Sequence, residues 1–261
     1  MIRKSLMLAY ALLAYILAIA SLAYIMGFLV DFGVPKSISD GKSISIWSSV
    51  LIDAGLVGLF GLHHSLTART SFKRWSTKII PAPIERATYL YMTTVMTVVL
   101  VVFWQPVPVT IWQVQSELGM VFIYLAYIAV WIMMSAATFQ FGHFSFFGLT
   151  QVWQNFRDML PKSPNMTARY LYALVRQPIS LGWMVAPLIM PHLTLGHTVF
   201  AGTTFVYILV ATHFEELDLI EEFGDSYRDY RNRVPPFIPF LKCKPKTVTD
   251  WSVPRKINEY E

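Results

Sequence analysis

Cysteine is almost missing from this chain: Cys243 is the only one, so no intrachain disulfide is possible and no cysteine-rich ligand motif can be built. Charge is scarce as well. Asp, Glu, Lys and Arg make up 14% of the 261 residues against 55% apolar ones, too little to coat a soluble globule, so membrane spans have to be found. There is no low-complexity tract, no repeat of about 20 to 50 residues and no long linker, which excludes solenoids and a separate second domain. An HExxH motif is absent too. The net charge of +5 would suit nucleic acid, but the basic residues sort by membrane side instead.

What is present is a series of long apolar runs. Leu6 to Val30 carries no charge, enough to span about 30 Å of hydrocarbon with some tilt. Ala18-Ile19-Ala20 imitates a signal-peptidase site, yet the run continues past it, which predicts an uncleaved anchor. Further spans are expected over Ile44 to Leu66, Ala87 to Phe103 and Leu118 to about Phe141. Gly55, Gly58 and Gly61 in the second span suggest close helix packing. Asp53, inside that span but towards its outer side, lies about 16 Å along the axis from His64 and cannot touch it. Thr70 to Pro83 has the basic and aromatic composition of a segment at lipid headgroups. The aromatic run Phe139 to Leu149 reads equally well as an interfacial belt or a pocket wall. Pro178 starts a short helix, and Ile179 to Met190 rises only about 18 Å, so this segment barely crosses before His197 to Thr212 returns.

Nineteen of the 21 Lys and Arg residues fall on one side of this layout, leaving Lys36 and Lys42 on the other. The positive-inside rule then predicts an all-α, polytopic membrane bundle of about six passes, including a short helical hairpin, with both termini cytoplasmic. Residues 1–169 hold four spans, 170–240 the hairpin and a further helix, and 241–261 a loose basic tail. The sequon Asn165-Met166-Thr167 faces the cytosol on this topology and has no meaning as a glycosylation site.

The cytoplasmic side gathers the polar groups that suggest chemistry: His63, His64, His143, Arg176, His213, Glu215 and Glu216. One stretch has a specific order. Val175-Arg176-Gln177-Pro178 and Gly182 are followed by Glu215-Glu216, Leu219, Phe223-Gly224, Tyr227, Tyr230 and Val234-Pro235. This order resembles the isoprenylcysteine carboxyl methyltransferase superfamily of membrane methyltransferases. Gln177 stands where that family usually has histidine, and Ala211 where its prenylcysteine enzymes place an arginine. Ser65, Phe72 to Trp75, Glu85-Arg86, Trp104 and His143 to Trp153 look like its bacterial methanethiol S-methyltransferase branch.

The resemblance implies an S-adenosylmethionine-dependent thiol methyltransferase in the bacterial inner membrane, its active site facing the cytoplasm. It implies cofactor binding by Tyr170, Val175, Arg176, Gln177, Pro178, Gly182, Glu215, Glu216, Leu219, Tyr227 and Tyr230. The acceptor would be a small hydrophobic thiol, and the partners are that thiol and the lipid bilayer, with no nucleic acid and no obligate protein. An alkyl thiol ionises above the roughly 8.5 of cysteine, so a base or a field must help it. His64 and His143, with Ser65, are the catalytic candidates, and His64 is favoured. Gln177 can hydrogen-bond as histidine would but cannot take up a proton near neutral pH. Rival readings are a prenylcysteine or lipidic acceptor, a nicotinamide-dependent sterol reductase, and a haem or metal protein using His64, His143 and His213.

Overall fold

A computed structural model describes residues 1–42, 44–160 and 168–241. Cys243, the sequon and the basic tail from residue 242 lie outside the described residues. Five helices are long and apolar enough to cross a membrane, and the chain is an integral membrane protein built almost wholly of helix.

The elements follow the sequence closely. Helix α1 is Ile2–Leu29 and α2 is Ile46–Ala68, and a short α3, Thr70–Ser76, follows. Helix α4, Glu85–Phe103, follows a single turn at Ala82–Ile84 and stops ahead of Pro106. Strand β1, Thr110–Gln113, precedes α5, Glu117–Phe141, whose Ser116 side chain caps it by accepting from the Gly119 N–H. Gly142, at φ 103°, ends α5 in a conformation open to glycine. Short helices α6, His143–Phe146, α7, Leu149–Phe156, and α8, Leu171–Leu174, come next. Helix α9, Pro178–Val185, continues as a tight turn at Ala186–Leu188; strand β2, His192–Thr194, leads into α10, Leu195–Phe223, and then α11, Asp225–Arg233.

The short sixth crossing is completed by extended chain. From Leu195 to Glu215 α10 rises about 30 Å, and Gln177 meets Glu215 at its far end. The return over that height is made by the helical segment Pro178–Leu188 plus a stretch ending in β2, which gains about 3.3 Å per residue. Strand β2 pairs antiparallel with β1, Thr110 opposite Thr194, so the hairpin is anchored where the backbone would otherwise lack partners. Neither strand was legible in the sequence.

Two cores fill the bundle. Phe28, Leu29, Trp104, Tyr127, Met190 and Phe200 pack the half near the β-pair. Met7, Ala11, Ala14, Leu90, Phe147 and Val152 pack the other half, between α1, α4 and α7. Asp53 sits in the first half, fully buried, and accepts the Gln105 N–H at 2.8 Å; Lys36 Nζ donates to Val102 O and Trp104 O. Together they hold the end of α4, at the opposite end of α2 from His64, as the spacing between the two requires.

The glycine expectation holds for one residue of three. A Cβ at Gly61 would lie 2.4 Å from the Tyr207 ring of α10, whereas Gly55 and Gly58 have open space around them. At 100° per residue, six residues turn the helix by about 120°, so one neighbour cannot meet all three. A second close approach occurs at Gly182, where a Cβ would lie 2.3 Å from Met134 Cγ of α5. Gly182→Ala should therefore cost about 1–3 kcal/mol through overpacking, read by thermal unfolding in detergent; a loss below about 0.5 kcal/mol would show that Met134 swings aside.

Candidate active site

Most of the motif builds a cap on the membrane face. Arg176 is buried; its Nε and Nη2 reach Glu216 Oε1 at 2.8 and 2.6 Å, and its Nη1 donates to Arg231 O at 2.9 Å and to Val234 O. Arg231 Nε lies 3.2 Å from Glu216 Oε2. The backbone joins in, with Arg176 N–H donating to Pro235 O and Gln177 N–H to Pro236 O. Tyr230 donates its hydroxyl to Tyr172 O at 2.6 Å and forms, with Tyr227 and Ala168, a small core against Leu219 and Phe223. Burial first, and then neighbouring charge, hold both phenols far above their ordinary values, so they stay neutral. Val175 and Pro178 are buried beside this cap and Gly182 packs on α5, whereas Tyr170 is exposed, at φ 51°.

The two adjacent glutamates thus point to different environments. Glu216 is buried in the ion pair, and Glu215 is exposed, its Oε2 3.4 Å from the Gln177 amide. Ser180 Oγ in turn donates to Gln177 Oε1 at 3.2 Å, which orients that amide. The Tyr172 phenol is pushed up to about 12 by burial and, after it, by the charge of Glu215. Arg86, Tyr89 and Tyr207 also lie within electrostatic reach of Glu215. Glu215 therefore stands between the start of α9 and the seams between α2, α4 and α10.

His64 lies on the second of those seams. The Tyr89 hydroxyl is 3.1 Å from its Nδ1 and 2.8 Å from its Nε2, Thr93 Oγ1 is 3.5 Å from Nδ1, and Phe60 stacks on the ring. The Arg86 guanidinium lies over the Tyr89 ring at 4.7 Å and is fixed by a bond from Nε to Phe146 O. Ser65 donates to the Tyr207 hydroxyl at 3.3 Å. His143 is elsewhere: its Nε2 meets Tyr15 OH at 2.9 Å, its Nδ1 meets Thr138 Oγ1 at 2.8 Å, and Phe139 stacks on it at 4.3 Å. Both ring nitrogens are used and burial lowers its pKa, so the aromatic run after α5 serves as a packed belt against α1. Among the described residues no three His, Cys, Asp or Glu side chains converge as a metal site would require.

The chain is 40% identical to a methanethiol S-methyltransferase of Pseudomonas deceptionensis, over 91% of each protein. It is 36% identical to one of Mycobacterium tuberculosis, over 91% of this chain and 98% of the relative. The chain belongs to the methanethiol S-methyltransferase family. Nurim of Sus scrofa is a more distant relative, 22% identical over 76% of this chain. No protein-family model matches the chain, and no solved structure matches it.

For a member of the methanethiol S-methyltransferase family, the structure adds Tyr89, Tyr172 and Tyr207 to the residues singled out in the sequence, and gives Arg86, named there only for the resemblance, a place over the Tyr89 ring. Tyr207 had a readable signal, since Tyr207, Ala211 and Glu215 follow one another at i, i+4, i+8 on one side of a helix. Tyr89 had none, because its link to His64 joins two helices.

Proposed function

We propose that the chain transfers a methyl group from S-adenosylmethionine to methanethiol, giving dimethyl sulfide. The observation that carries this reading is the split of the glutamate pair: Glu216 is neutralised by Arg176 and Arg231, and Glu215 is left open beside Gln177 at the start of α9. Family membership supports the reaction class. The Lys and Arg excess on this face supports a cytoplasmic active site.

The donor set fits S-adenosylmethionine, which when bound supplies an electrophilic methyl on a sulfonium. Glu215 would take its ammonium or ribose hydroxyls. The free N–H groups of the first turn of α9, with the Gln177 amide, would take its carboxylate. Tyr172 stays protonated at pH 7 and remains a hydrogen-bond donor. Arg176, Glu216, Tyr227 and Tyr230 act by holding the cap that positions Gln177. On the acceptor side, His64, held by Tyr89, takes the thiol proton, and the surrounding aromatic rings keep water from the attacking sulfur. The bound cofactor would supply the methyl group that the thiol sulfur takes.

Titration calorimetry of the full chain in detergent with S-adenosylhomocysteine tests the donor site. Glu215→Gln should weaken binding at least about tenfold, a loss in the range for a hydrogen bond to a charged group, with the melting curve preserved. Unchanged affinity would move the donor away from Glu215. Headspace detection of dimethyl sulfide from methanethiol tests the reaction itself.

A further inference from the structure

Arg86, the second residue of α4, is held on three sides. Its guanidinium carbon lies 4.7 Å from the centre of the Tyr89 ring and 5.3 Å from that of the Phe146 ring, and its Nε donates to Phe146 O at 2.9 Å. Gly148, at φ 83°, brings its backbone against the arginine stem, where a Cβ would lie 2.8 Å from Arg86 Cβ. Rings, carbonyl and glycine thus fix the guanidinium before any ligand arrives. The two terminal nitrogens are left over. Among the described residues they make no hydrogen bond or ion pair, and neither belongs to the sealed-off polar atoms, so both border open space.

An arginine this enclosed ordinarily ends on a carboxylate. The titratable groups around Arg86 are Glu85 beside it on α4, Lys73 of α3, Tyr89 of α4, His64 of α2 and Glu215 of α10. Glu215 bonds to Gln177 instead of to the guanidinium. Arg86 and His64 rest on one side chain, the guanidinium on the Tyr89 ring and the imidazole on its hydroxyl. An unpaired, immobilised cation next to the proposed base suits an anion formed there.

We propose that Arg86 is a catalytic residue for the acceptor: its two free terminal nitrogens hold the methanethiol sulfur as thiolate while His64 takes the proton. The inference rests on the thiol methyltransfer reading. The S–H bond breaks with its proton passing to His64 and its electron pair staying on sulfur, which Arg86 faces until the sulfur takes the methyl group. Donors already fixed where charge develops need no rearrangement during the step, and the flanking rings keep the local dielectric low. A free guanidinium also suits a carboxylate, and the two anions are told apart by what is lost with the residue.

Thiocyanate, a small sulfur anion, is the probe. With the purified full-length protein it should inhibit methyl transfer in competition with methanethiol. Arg86→Gln should lower kcat/KM for methanethiol by about 10² to 10³, the range for one preorganised donor. The same change should weaken thiocyanate inhibition at least about tenfold, the loss for a hydrogen bond to a charged group, while S-adenosylhomocysteine affinity and the melting curve hold. Arg86→Lys keeps the charge and should restore part of both. His64→Ala should slow turnover yet leave the thiocyanate competition in place, which separates the anion site from the base. If Arg86→Gln fails to fold, Arg86→Met, whose stem still fills the space between the rings, carries the same comparison. Unchanged thiocyanate inhibition in a folded Arg86 variant overturns the assignment. So does a fall in S-adenosylhomocysteine affinity, which would give the guanidinium to the cofactor's carboxylate. Absence of methyl transfer to every thiol by the unaltered protein would instead remove the functional reading beneath it.

Discussion

Arg176→Ala is expected to destabilise the protein by about 3–5 kcal/mol, the loss typical of removing one partner from a buried ion pair. The guanidinium is buried and fully engaged, bridging Glu216 on α10 to the carbonyls of Arg231 and Val234 at the end of α11. Its removal leaves Glu216 with the half-exposed Arg231 alone and frees the segment that pairs with the Arg176 and Gln177 N–H groups. The cap should therefore loosen before the bundle does. Limited proteolysis should show early cleavage after residue 224, and chemical unfolding in micelles should give the energy. The coupling has a signature of its own: Arg176→Met combined with Glu216→Met should lose less than the two single changes added together, because neither charge is then left buried alone. Strictly additive losses, or a single loss under about 1 kcal/mol, would mean that the pair does not hold the cap.

The second large effect concerns His64. If its imidazole takes the thiol proton, His64→Ala should lower turnover by about 10² to 10⁴ and leave S-adenosylhomocysteine binding close to normal. The sign of the pH dependence follows from the substrate. A thiol above roughly 8.5 is mostly protonated at pH 7 and needs the base there; as pH rises, thiolate forms unaided and the variant should recover towards the unaltered rate. Tyr89→Phe should give a smaller loss of the same shape, since the ring still packs and only the hydroxyl on His64 is gone. Equal loss at every pH would assign His64 to packing. Full activity in His64→Ala would transfer the role to His143 or leave thiolate formation to the field of the bound sulfonium.

Particular residues show how far the chain could be read without coordinates. The first four spans came from long apolar runs and were right to within a few residues, because a lipid-facing helix has no other way to satisfy its backbone. The two glutamates, both assigned to the cofactor by the resemblance, face different ways, a consequence of 100° per residue along any helix. The extent of α10 was harder. It runs unbroken through Glu215 and Glu216 to Phe223, although the apolar pattern ends near Thr212, because the cap packed around Leu219, Ile220 and Phe223 supplies the burial that lipid supplies lower down.

By itself the sequence determined that this is a polytopic helical membrane protein and to which family its motif belongs. These depend on composition, period and order, all local or one-dimensional properties. Tertiary structure alone decided that Arg176 and Glu216 neutralise each other and leave Glu215 open, that His64 meets Tyr89 while His143 meets Tyr15 and Thr138, and that Gly61 rather than Gly55 or Gly58 receives a neighbour. Each of those outcomes is a contact between helices, and its sign depends on which faces meet, which spacing along one helix does not contain.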